Sequence, residues 1–167
     1  GFDVSFDSFG EGKEQEGSES NKKGPADDPK GVFTLTRKAC EFIAENKDRP
    51  FFCYLAHHAI HTPLQASDET LAKFKAKTPV QQHVNPLYAA CTYDFDASVG
   101  MLMSKLEELG LEQNTLVVFT SDNGATQQSS QEPLRGSKGG YYEGGIREPF
   151  IVRWPAVVKA DGRCDVP

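Results

Sequence analysis

Thr115-Leu116-Val117-Val118-Phe119-Thr120-Ser121-Asp122-Asn123-Gly124 decides how the rest of the chain is read. Its first six residues are apolar or β-branched and read as a buried strand. The strand then stops, and an acid, an amide and a glycine follow at once. Asp122 offers a carboxylate and Asn123 an amide oxygen, the ligand types a hard divalent cation prefers. Gly124 allows a sharp turn, so that both side chains can face one point. The same tripeptide is also an ordinary turn sequence, and taken alone it is read as one. Its surroundings change that reading.

Downstream, Pro133 to Pro149 reads PLRGSKGGYYEGGIREP, with five glycines, at 136, 139, 140, 144 and 145. Such a loop brings backbone close to something, and Arg135 and Lys138 add positive charge. A sulfate or phosphate group suits it. It is not a Walker loop, because the strand–GxxxxGK[ST]–helix order is missing. A surface loop with incidental basic residues is the competing reading. A last strand is expected over Phe150 to Trp154.

Upstream, Tyr88, Cys91, Phe95, Val99, Leu102, Leu106 and Leu109 step by three or four residues. They predict a long helix over 85–109, ended by Gly110. Ser67 is placed to cap a short helix carrying Leu71 and Phe74. Another helix is expected over 34–46, with Leu35, Ala39, Phe42 and Ile43 on one face. Between them Phe51 to Ala56 (FFCYLA) is a continuous apolar run of strand length. Its lack of alternation suggests burial on both faces, as in a parallel sheet covered by helices. Two buried strands joined through a long helix make a βαβ unit and hence a parallel sheet. The expected fold class is therefore α/β. Ligands of parallel sheets bind beyond the carboxyl ends of the strands. The loop after FFCYLA and the Asp122-Asn123 turn would then share one rim.

That loop, His57 to Gln65 (HHAIHTPLQ), holds three of the four histidines. His57 and His61 stand four apart, as in a helical zinc motif, but His58 replaces the required glutamate and Pro63 opposes a helix. A single histidine as proton donor or anion ligand fits better, against the plain reading of a loop histidine bonded to backbone.

Residues 1–31 are the least core-like part. Phe2, Val4 and Phe6 alternate with polar residues, as in a short strand. Gly10 to Gly24 is so polar that a mobile loop is expected. The 167 residues suffice for a real core, with 38% apolar and 25% charged residues. A net charge of −6 argues against a nucleic-acid partner. No apolar run approaches the ~20 residues that span a bilayer, so no membrane partner is expected, and the first ten residues lack the marks of a signal peptide. Cys40, Cys53, Cys91 and Cys164 match no zinc spacing; the first three read as core residues, and Cys164 lies in a polar tail.

RPFFCYLAHHAIHTPLQ, YAACTYDFDASVGMLMSKLEELGLEQNTLVVFTSDNG and PLRGSKGGYYEGGIREPFIVRWP together resemble the type I sulfatases, the arylsulfatase A-like branch of the alkaline phosphatase superfamily. The resemblance runs from about Asp28 to Pro155. It implies part of an α/β/α sandwich with a mainly parallel sheet, alkaline phosphatase-like, with residues 32–167 as a partial catalytic domain. It implies calcium ligation by Asp122 and Asn123. His61 falls on the histidine that contacts the sulfate ester and protonates the leaving oxygen, and Lys138 on the lysine that holds the sulfate. Ser137 stands where a glycine is usual. Asp96 matches a common acid on the long helix and is read as structural. The family nucleophile is a formylglycine made within Cys-x-Pro-Ser-Arg or Ser-x-Pro-Ser-Arg, a context no cysteine here has. The two consecutive aspartates that bind the family's metal are also unmatched, since Asp27-Asp28 precedes a helix rather than closing a strand. The chain therefore reads as the middle of a sulfuric ester hydrolase, with the nucleophile expected upstream and a sulfated small molecule or carbohydrate as substrate. A periplasmic, secreted or lysosome-like compartment is what the family suggests. The alternatives are a phosphatase or phosphodiesterase of the same superfamily, and a non-catalytic anion- or calcium-binding module.

Overall fold

The computed structural model describes residues 2–6, 24–79, 84–126 and 128–165. The chain divides into two compact units, Gly1–Pro79 with Val84–Lys105, and Val80–His83 with Leu106–Pro167. Most of the polar stretch expected to be mobile lies outside the described residues. Residues 2–6 form no strand, and Phe2, Val4 and Phe6 are exposed.

The first unit is built on helices. α1, Val32–Glu45, buries Val32, Thr36, Ala39, Cys40 and Ile43 on one stripe. Gly31 precedes it at φ 70° and offers no side-chain cap. The buried carboxylate of Asp28 supplies one instead, accepting from Phe33 N at 3.2 Å, Thr34 N at 2.6 Å and Thr34 Oγ1 at 2.7 Å. These are amides a helix leaves unpaired at its start. Asp28 is thus a capping residue. At the far end, buried Asn46 donates from Nδ2 to Phe42 O at 2.7 Å.

α2, Asp68–Lys75, is capped as expected: Ser67 Oγ accepts from Thr70 N at 3.1 Å. α3, Pro86–Glu108, starts with Asn85 Oδ1 accepting from Leu87 N at 3.0 Å and Tyr88 N at 3.1 Å. Proline at its first position loses no helical hydrogen bond. It ends where Gly110 was expected to end it. Gly110 takes φ 67°, its N donates to Glu107 O at 2.9 Å, and Leu111 N donates to Leu106 O at 2.9 Å. That pair of bonds is the Schellman arrangement. On α3 the structural acid is Asp94 rather than Asp96, which is exposed. Asp94 is buried and accepts from Thr70 Oγ1 at 2.8 Å, tying α3 to the start of α2.

The sheet differs from expectation. β1, Val117–Thr120, pairs antiparallel with β2, Phe150–Arg153, in the register Val117↔Arg153 to Thr120↔Phe150. Among the described residues this two-stranded ladder is the whole sheet, and it contains no parallel pairing. Phe51 to Ala56 enters no ladder. Its exposure alternates, with Phe52 73% and Tyr54 71% exposed while Phe51, Cys53 and Leu55 are half-buried. An alternation of two is that of an extended chain with one covered face, so the run is not buried on both sides. Phe51 meets Phe42 of α1 edge-on at 6.2 Å, and Phe2 stacks over Phe52 at 6.1 Å. Among the described residues no helix is long and apolar enough to cross a membrane.

Candidate functional site

In the second unit β1 ends at Thr120, and Ser121, Asp122 and Asn123 leave it as a turn. Ser121 Oγ donates to Asn123 O at 3.2 Å. The chain then returns on itself. Gly124 N donates to Gly145 O at 3.0 Å, Lys138 N to Ala125 O at 3.0 Å, and Gly144 N to Arg135 O at 2.8 Å. Asp122-Asn123 and Lys138 are thereby tied to one backbone knot, a few bonds from each other's anchors. A Cβ on Gly124 would fall on the Gly144 carbonyl. One on Gly144 would fall on the Gly136 and Arg135 carbonyls, and one on Gly145 on those of Gly140 and Ser137. Gly136 and Gly139 both take φ 86°, which side chains rarely adopt. The glycines are used for close packing of backbone, and α4, Glu143–Ile146, is a single turn within the knot.

Among the described residues the Asp122 carboxylate, the Asn123 amide and the Lys138 ammonium have no hydrogen-bonding side-chain partner. Asp122 and Lys138 are exposed, and Asn123 is half-buried. Arg135, read as a second anion-binding charge, instead lays its guanidinium over the Tyr142 ring at 3.8 Å. Glu148, which sequence reasoning passed over, belongs to this neighbourhood. Burial, and secondly the negative charge of Asp122, push its carboxyl above the usual range. One of its carboxyl oxygens is shielded and has no partner. An acid, an amide oxygen and a second, crowded carboxyl are donors that a hard cation suits, so the residues present fit a calcium site in part. No three His, Cys, Asp or Glu side chains converge as metal ligands among the described residues. The zinc reading of the histidines has no support here.

The histidine loop belongs to the first unit. His61 is exposed, and its Nδ1 lies 2.7 Å from Thr62 O. A carbonyl only accepts, so Nδ1 holds the proton and Nε2 is the free ring nitrogen. His61 N donates to His58 O at 3.0 Å, closing the turn, and the two rings stand 5.3 Å apart. His57 turns inward. Its Nε2 sits 3.4 Å from Thr36 Oγ1 and its ring meets Phe95 edge-on at 5.1 Å. Burial lowers its pKa to about 4, against a smaller opposing pull from Asp28, so it is neutral at physiological pH. His57 is a packing residue. Lys30, also unsuspected from sequence, is buried and donates from Nζ to His61 O at 2.6 Å and Pro63 O at 2.8 Å. A lone lysine before a glycine carries no pattern that announces such a role. The structure thus groups Asp122, Asn123 and Lys138 in one unit and places His61 in the other.

Residues 3–163 match the sulfatase family. Human arylsulfatase A is 40% identical over 117 residues, 67% of this chain and 21% of that protein. Human steryl-sulfatase is 36% identical over 143 residues, 80% of this chain and 23% of that protein. An N-acetylgalactosamine-6-O-sulfatase of Bacteroides thetaiotaomicron is 34% identical over 139 residues, 75% and 25% respectively. Among solved structures, Ps i-CgsB in complex with k-i-k-neocarrahexaose superposes with a TM-score of 0.65 at 40% identity, covering 74% of this chain and 28% of that one. The chain spans between a fifth and a quarter of the length of these curated relatives.

Proposed function

The chain belongs to the sulfatase family, and on that premise we propose that the protein it forms part of hydrolyses sulfate esters of carbohydrates. The net reaction converts ester and water into alcohol, sulfate and a proton. The observation that carries this reading is the glycine knot, which fixes Lys138 beside the Asp122-Asn123 turn through the Lys138 N to Ala125 O bond. Lys138 would hold the sulfate through its ammonium, whose charge offsets that on the sulfuryl oxygens. His61 would protonate the departing alcohol oxygen from Nε2 as the imidazolium, which carries a proton on both nitrogens, since its Nδ1–H is committed to Thr62 O. Asp122 and Asn123 would supply two of the oxygen ligands of a calcium ion. When bound, that ion adds positive charge against the sulfuryl oxygens. The nucleophile proposed is a formylglycine from outside this segment. The carbohydrate substrate class is supported by a relative named N-acetylgalactosamine-6-O-sulfatase and by a structural neighbour in complex with k-i-k-neocarrahexaose.

The test uses the full-length protein, a chromogenic aryl sulfate and a panel of sulfated oligosaccharides. Wild type should release sulfate. Lys138→Ala and His61→Ala should each lose on the order of a hundredfold or more in turnover, the usual size of a lost electrostatic or general-acid contribution. Cleavage of phosphate esters with sulfate esters untouched would overturn the proposal in favour of a phosphatase.

A further inference from the structure

Lys30 is 3% exposed, and an ammonium is rarely buried without partners because leaving water costs it several kcal/mol. No carboxylate within salt-bridge distance of its Nζ is found among the described residues. Its hydrogen bonds run instead to two carbonyls more than thirty residues downstream, His61 O at 2.6 Å and Pro63 O at 2.8 Å. Both are charge-assisted and short. Between them lies Thr62, whose own carbonyl accepts from His61 Nδ1 at 2.7 Å. Three successive carbonyls are therefore committed, the outer two to Lys30 and the middle one to the imidazole. Fixing the outer two peptide groups leaves the middle one little freedom to rotate. Lys30 is held in turn at the head of α1, between the Asp28 cap and Gly31, whose φ of 70° turns the chain into the helix. Burial lowers the pKa of the lysine, opposed by a smaller pull from Cys91, as a desolvated ammonium requires.

We propose that Lys30 is a positioning residue for His61: by pinning the carbonyls of His61 and Pro63 it sets the Thr62 carbonyl that fixes the ring's tautomer and leaves Nε2 available. The consequence for catalysis rests on the sulfatase reading above; the effect on the ring does not. A catalytic group displaced by about 1 Å can lose about a hundredfold in rate, so this anchor matters although it touches no substrate.

Two measurements separate the parts. In the ¹⁵N-histidine-labelled full-length protein, long-range proton–nitrogen spectra at alkaline pH should show His61 as the Nδ1–H tautomer. In Lys30→Met the spectrum should shift towards the Nε2–H form of a free histidine. Should Lys30→Met fail to fold, Lys30→Arg, which keeps the charge but alters the donor geometry, is read in the same way. A wild-type ring already in the Nε2–H form, or a ring unchanged by both substitutions, overturns the proposal without recourse to activity. In the full-length enzyme Lys30→Met should lower kcat about ten- to a hundredfold with little change in KM, and Lys30→Arg should restore part of it. If wild type hydrolyses sulfate esters and Lys30→Met does so equally fast, the proposal fails. If wild type is inactive but the tautomer shifts, the sulfatase reading fails and the positioning role stands.

Discussion

Replacing His57 by glutamine should flatten the acid side of the stability profile. The imidazole has an ordinary pKa of 6.5 and about 4 in the folded chain, mainly because burial penalises its charged form. The difference, at 1.36 kcal/mol per unit, amounts to about 3 kcal/mol. The sign follows from which state takes the proton. Above the unfolded value the ring is neutral in both states and contributes nothing to the pH dependence. Between 6.5 and about 4 the unfolded chain binds a proton that the folded chain refuses, so stability falls with pH. Below about 4 the full loss has been incurred. Taking wild type from about pH 7.5 to about pH 4.5 should cost about 2.5 kcal/mol through this group alone. The carboxylates contribute in wild type and variant alike and cancel in the difference between them. Urea unfolding of both proteins at the two pH values gives that difference directly. His57→Gln will itself lower stability at neutral pH, through the lost edge contact with Phe95, but its further loss on acidification should be smaller by about 2.5 kcal/mol. Equal losses in the two proteins, or a His57 ring that titrates near its ordinary value by NMR, would refute the reasoning.

Gly144→Ala should destabilise the second unit by about 1–3 kcal/mol or more, because the added methyl meets two carbonyls that hold the knot; thermal unfolding reads it, and an unchanged midpoint contradicts it. Asp28→Ala should cost about 1–3 kcal/mol, since it strips part-buried amides at the start of α1 of their acceptor; slower amide exchange at Phe33 and Thr34 in the variant would argue the opposite. Calcium should bind this segment weakly, because Asp122 and Asn123 supply two of the ~6–8 oxygens the ion usually takes. Calorimetry showing a sub-micromolar site that Asp122→Ala abolishes would overturn that.

The helices were legible because their signals are local. Ser67 before an acidic first turn, Asn85-Pro86, and Gly110 after a periodic stripe each mark a boundary through hydrogen bonds that a few neighbouring residues make. Phe51 to Ala56 failed because composition says how apolar a segment is, not which face acquires neighbours. The same limit applies to β1, whose apolar residues fit a parallel or an antiparallel partner equally, and whose partner lies beyond the glycine loop. Asp94 and Asp96 differ by two helical positions, about 200° around the axis, and so by whether the side chain meets α2 or water. Lys30 and Glu148 escaped notice for a further reason. A crowded charge is defined by what surrounds it in space: for Lys30 distant carbonyls, for Glu148 the like charge of a carboxylate 26 positions away. The turn at Asp122-Asn123 and the loop at Lys138 were visible, being dense in residues that do little else together.

The glycine knot bears on how substitution data for such a protein should be interpreted. In an exhaustive survey of single replacements, Gly124, Gly144 and Gly145 would score as intolerant as Lys138, although none of them offers a functional group to a substrate. Their failures would arise from carbonyls pushed apart, and so would show as reduced abundance and recover in part when cells are grown cold. A replaced Lys138, in the sulfate-holding role proposed for it, would leave abundance intact and gain nothing from cooling. Scoring expression alongside activity therefore sorts the glycines that shape the knot from the lysine proposed to hold sulfate.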